Sequence, residues 1–71
     1  MLVKVETLEI SYRGANVMVT KNDPSEMYIN PKKIINAVPV DLPTGQKLWF
    51  VCLEGMTEPI CIDDNDFHTL I

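Results

Sequence analysis

The sequence predicts a mainly β domain: a small antiparallel five- to six-stranded barrel or roll, SH3-like in plan, with a short C-terminal helix. Three observations carry that expectation. Apolar residues alternate with polar ones through much of the chain, the period of a strand with one face buried. Gly14, Gly45 and Gly55 each stand between two such runs, where hairpin turns need a positive φ. Near the end the period changes: Phe67, Leu70 and Ile71 fall at i, i+3 and i+4, the spacing of one helix face.

Seventy-one residues make one domain, residues 1–71. A chain this short buries only about 60% of the surface its unfolded form exposes. That raises the expectation of a homo-oligomer or of a protein-bound subunit. The net charge of −4 comes from ten acidic and six basic residues. The basic side chains are scattered except for Lys32 and Lys33. Nucleic-acid affinity comes largely from neutralised phosphates, so this balance argues against a nucleic-acid partner. It favours a protein or small-molecule partner instead. Cys52 and Cys61 follow no secretory leader, and the longest apolar run is far short of the ~20 residues of a spanning helix. The chain is read as cytoplasmic, with reduced thiols and no membrane association.

Taken in order, residues 2–12 alternate with a change of phase. Val3 and Val5 occupy odd positions; Leu8, Ile10 and Tyr12 occupy even ones. Either a bulge near Glu6 and Thr7 restores one apolar face, or residues 2–5 form a separate short strand. Arg13 and Gly14 suit a two-residue hairpin loop, which pairs Tyr12 with Ala15, Ile10 with Val17 and Leu8 with Val19. Residues 21–26 concentrate Asn, Asp, Pro and Ser and read as a loop. After a strand at residues 27–29, Asn30 suits an N-cap and Pro31 the first helical position. One helical turn through Lys32 and Lys33 returns Ile34 to the sheet. In the next strand Pro39 cannot donate to a ladder, so that strand lies at an edge or turns Pro39 outward from its partner.

Pro43, Thr44 and Gly45 form a turn. Lys47–Leu53 then returns as the central strand. Trp49, Val51 and Leu53 lie on one face and Leu48, Phe50 and Cys52 on the other, so both faces need cover. Residues 54–58 turn the chain, and residues 59–63 form a last strand with Cys61 opposite Cys52 and Ile62 opposite Val51. Asp64 or Asn65 caps a helix over residues 66–71, which docks through Phe67, Leu70 and Ile71.

From Tyr28 onward the layout resembles a family of small flagellar accessory proteins, the FlbD type. The shared parts are Tyr28-Ile29-Asn30-Pro31, then Ile34-Ile35, a strand from Trp49 to a turn at Gly55, and an acidic end from Ile60 to Ile71. The resemblance implies a small β-roll or SH3-like barrel of bacterial or phage type with an accessory role. It transfers no functional residue.

Candidate chemistry is sparse. Cys52 and Cys61 lack the companion ligands of a metal site, since His68 is the only histidine and no CxxC occurs. The acidic run 63–66 has neither the Gly nor the distal Glu of a calcium loop and reads as a helix cap. His68 has no nucleophile at a recognisable spacing. No catalytic, metal or cofactor residue is therefore assigned. Tyr28, Lys32, Lys33, Trp49 and Phe50 are the candidate contacts with a partner or ligand. Trp49 and Phe50 are adjacent on a strand, so one of them faces a second layer or another chain. The expected function is a non-enzymatic interaction module, binding a protein partner or itself through an apolar face or edge strand. A nucleotide or small-ligand binder using Lys32 and Lys33 stands second, and an SH3- or Sm-like nucleic-acid binder third.

Overall fold

The computed structural model describes residues 1–71. In chain order come β1 (Val3–Arg13), β2 (Asn16–Ile29), a 3-10 turn (Pro31–Lys33), β3 (Ile34–Asp41), β4 (Lys47–Leu53), β5 (Ile60–Asp63) and α1 (Asp64–His68). The strands form two antiparallel sheets, β1-β2 and β3-β4-β5. The mainly β class and the terminal helix are as expected. The strands number five, and the two sheets share no ladder that would close a barrel.

The phase change in β1 produces the expected bulge. Pairing steps from Glu6↔Glu26 to Leu8↔Lys21, which leaves Thr7 facing four residues of β2. Thr7 holds them: its Oγ1 donates to the Ser25 carbonyl at 3.1 Å and accepts from Asn22 Nδ2 at 3.0 Å. Residues 21–26 are thus an extended part of β2 rather than a loop. Both their ends pair with β1, and that pairing overrides their polar composition.

The hairpin register differs from expectation by two residues. The observed pairs are Arg13↔Asn16, Tyr12↔Val17 and Ile10↔Val19, so the loop is Gly14-Ala15. Gly14 has φ 59° and is the only loop residue with a positive φ. Glycine in the first of two central positions is the requirement of a type II′ turn. A shift of two keeps every side chain on its expected face.

Asn30 caps the 3-10 turn as expected, with its Oδ1 accepting from Lys32 N at 3.0 Å and its carbonyl from Lys33 N at 2.8 Å. Asn30→Ala is expected to lower the unfolding free energy by about 1 kcal/mol. Urea unfolding checks this, with a lower midpoint at unchanged slope; an unchanged midpoint would show that the cap is dispensable. β3 is the outer strand of its sheet, where Pro39 is tolerated opposite Trp49. Gly45 N donates to the Leu42 carbonyl at 2.9 Å, closing the turn around Pro43 and Thr44.

The β4–β5 ladder also lies two residues from the expected one. It pairs Val51↔Ile60, Phe50↔Cys61 and Trp49↔Ile62, so Cys52 and Cys61 do not face each other. Cys52 instead lies opposite Asn36, and both thiols are free. The cause is the longer connection: Met56 N donates to the Leu53 carbonyl at 3.1 Å, and the ladder restarts only at Ile60.

β4 divides the interior into two unequal clusters. Val51 and Leu53 join Val5, Ile29, Ile60, Ile62, Phe67 and Leu70 in a core of eight buried residues. On the opposite face only Leu42, Leu48 and Cys61 are buried, ringed by half-buried Leu8, Ile10, Val17, Val19, Val40 and Phe50. Val3 and Val5, before the bulge in β1, join the first cluster, and Leu8 and Ile10, after it, pack on the second. The two sets therefore do not share one cluster, contrary to the single apolar face expected of the bulge.

The terminal helix starts two residues earlier than expected, and Asp63 precedes it without a side-chain cap. Phe67 and Leu70 are buried, but Ile71 is 78% exposed and does not dock. The helical period stops at His68, so the face that Ile71 would have shared no longer exists beyond it. No helix is long and apolar enough to cross a membrane.

Candidate interaction site

The two faces of β4 meet different covers. On the first, Trp49 lies under α1 and stacks on Phe67, with ring centroids 3.9 Å apart and 12° between planes. Its Nε1 donates to Asp64 Oδ1 at 2.8 Å, and Lys47 Nζ sits 5.4 Å from the ring centroid. Asp64 Oδ1 also lies 3.3 Å from His68 Nε2. On the far side of the helix, Asp66 Oδ2 accepts from Glu6 N at 2.9 Å. That amide is free for the contact because the bulge interrupts the ladder beside it. The helix is therefore attached to both sheets and covers the Trp49 face from within the chain, with Trp49 itself half-buried.

The Phe50 face is covered only in part. Val38, Phe50 and Cys61 lie in one row across β3, β4 and β5. Cys61 is buried, Phe50 half-buried and Val38 49% exposed. Between this row and the hairpin runs a groove of about 490 Å³. Leu8, Ile10, Tyr12, Phe50, Ile60 and Cys61 form most of its wall, and no charged side chain lines it. Tyr12 is 68% exposed and continues the row of Leu8 and Ile10 toward the hairpin loop. Burial pushes the Cys61 thiol up from its ordinary value, which keeps it protonated and a poor nucleophile.

The other candidate contacts lie elsewhere. Tyr28 is exposed and pairs with Lys4, on the side of the hairpin opposite half-buried Val3 and buried Val5. Lys32 and Lys33 are exposed on the 3-10 turn, with Lys33 Nζ 3.7 Å from Glu54 Oε2. Phe50 alone of the five lines the groove.

A second, polar cleft of about 300 Å³ is walled by Glu6, Lys21, Gln46, Asp63 and Asp66 among others. Lys21 lies 2.8 Å from Glu6. The hydrogen bond and charge of Lys21 lower the Glu6 carboxyl, and Glu6 raises Lys21 in return. No group of three or more His, Cys, Asp or Glu side chains is placed to hold a metal ion.

Tyr12 and Val38 were not among the residues singled out from sequence. A signal for Tyr12 was present: the apolar phase of Leu8 and Ile10 runs on to the loop, farther than the shorter sheet strands can follow. Val38 carried no such signal, because its exposure depends on tertiary packing that the strand's alternation does not report. No protein family, no curated protein and no solved structure matches the chain.

Proposed function

We propose that this chain is a small non-enzymatic interaction module, an accessory protein of bacterial or phage type, whose working surface is the Phe50 face of β4. The observation that supports this most directly is the inequality of the two clusters. One face of the central strand carries an eight-residue core, while the other leaves Phe50, Val38 and the inner side of the hairpin partly in water. Apolar surface left this way gains free energy when a partner covers it, at roughly 25 cal/mol for each Å². The uncharged groove beside it selects an apolar occupant over a charged one. The layout shared with FlbD-type proteins supports an accessory role in general and names no partner. An SH3-like description rests on the small mainly β plan.

The two other readings have less support. Lys33 is engaged by Glu54, and the turn that carries Lys32 and Lys33 is only three residues long. That is a poor platform for a phosphate. The net charge of −4 disfavours nucleic acid.

A photo-crosslinking amino acid at Val38, expressed in the native host, tests the reading. A protein adduct is expected at Val38 and not at Thr20, which faces Glu9 on the outer side of the hairpin. Equal adduct at both positions, or none at Val38, would overturn it.

A further inference from the structure

We infer that the occupant of the Phe50 face is a second copy of this chain, with the hairpin tips exchanged about a two-fold axis. This rests on the interaction-module reading above and names its partner. In the exchange, Tyr12 and Val17 of one copy pack on Phe50 and Val38 of the other, and the reverse holds across the axis.

Shape is the first argument. A folded monomer of this mass has an accessible surface of about 4,500 Å². This chain exposes 4974 Å², which is about 500 Å² more than that scaling gives. Its radius of gyration is 12.2 Å, against about 11 Å for a compact domain of this length. A stable interface hides roughly 800 Å² on each partner, so the excess accounts for the larger part of one half-interface.

The position of that excess is the second argument. An 11-residue strand such as β1 spans about 37 Å. The long axis of the molecule is 39 Å and the other two are 22 and 20 Å. A strand of that length accounts for most of the long axis, and Tyr12 near the hairpin tip is 68% exposed. The inward side of that tip is apolar, with Tyr12 opposite Val17. Tyr12 forms part of the wall of the groove together with Phe50, and the exposed Val38 lies beside Phe50 in the adjoining strand. An exposed apolar tip beside an apolar groove is self-complementary. A two-fold interface requires that property, because the same patch must meet itself.

Charge is the third argument. Arg13, the only arginine, sits exposed at the tip and takes part in none of the four ion pairs. Glu58, also exposed and unpaired, adjoins Pro59 in the wall of the groove. Exchange of tips brings Arg13 of each copy to the groove rim of the other, where Glu58 stands. In an acidic chain this pairing offsets the repulsion between two copies.

Sedimentation equilibrium over a range of chain concentrations, from low to high micromolar, tests the inference. The wild-type chain is expected to approach twice the mass of one chain. Tyr12→Glu, at a position exposed enough to leave the fold intact, is expected to weaken association at least tenfold. Arg13→Glu is expected to weaken it less, and Arg13→Glu combined with Glu58→Arg to restore it. A single-chain mass for the wild type at every concentration would overturn the inference, as would Tyr12→Glu associating as tightly as the wild type. The crosslinking experiment separates the two readings. A single-chain mass together with a foreign protein crosslinked at Val38 removes the second copy and leaves the interaction module; no adduct removes both.

Discussion

Phe67→Ala is expected to destabilise the protein by about 3–5 kcal/mol, the range for removing a buried aromatic ring. A domain of this size has a total stability of roughly 4–10 kcal/mol, so this one change removes much of it. Helix α1 has five residues and is too short to persist without tertiary contacts. Phe67 supplies the largest of those contacts, the stacked Trp49 ring, and leads to Leu70 in the same core. Once the ring is gone, the bonds from Asp64 to Trp49 and from Asp66 to Glu6 hold a helix with no apolar anchor on the sheet. Guanidinium unfolding followed by far-ultraviolet circular dichroism gives the loss of stability. The emission of Trp49, the only tryptophan, is expected to shift to the red in the folded variant as its roof opens. A loss below about 1 kcal/mol, with unchanged emission, would mean that α1 is not what closes this face.

Ile62→Ala is the second large effect, with an expected cost of about 2–5 kcal/mol. Ile62 is fully buried, pairs with Trp49 and belongs to the eight-residue core. Its neighbours come from both sheets and from α1, so the cavity left by truncation cannot collapse without moving three elements. For a domain of this length a loss of about 3 kcal/mol lowers the melting temperature by roughly 12–24 °C. Thermal unfolding of the dilute protein measures it. Val38→Ser, on the half-open face, is expected to stay within about 0.5 kcal/mol of the wild type. Similar costs for the two substitutions would contradict the unequal covering of β4.

Much of this architecture was legible, in terms that can be traced to particular residues. The break in alternation between Val5 and Leu8 marked the bulge, because a strand cannot change its buried phase without an extra residue. Asn30-Pro31 marked the capped turn and Pro39 the edge strand. Each imposes a backbone requirement that few other residues share. Both hairpin registers were displaced by two. Such a slip leaves every side chain on its face, so the apolar pattern is blind to it. Only the place of Gly14 in its turn, and the length of chain consumed after Gly55, decide between the alternatives. Residues 21–26 were misread because composition reports solvation, whereas the pairing of Lys21 and Glu26 reports tertiary context.

The candidate site was legible to a lesser degree. The two-faced character of Lys47–Leu53 pointed to a strand in need of cover on both sides. It did not show which face the chain would cover itself. That depends on where α1 docks, and hence on Asp66 finding the amide that the bulge leaves unpaired. Trp49 is half-buried beneath the helix as a result, and Phe50 borders the open groove.

The unequal covering is tested most directly by the solvent accessibility of individual side chains. A soluble paramagnetic agent, added to the chain at a concentration where sedimentation gives its lowest mass, broadens nuclear magnetic resonance signals near water. The account predicts strong broadening for Val38, Phe50, Tyr12 and Val17, and little for Val51, Ile62, Phe67 and Leu70. Equal protection of Phe50 and Val38 with Val51 and Ile62 under those conditions would contradict it, since the chain would then close both faces of β4 alone.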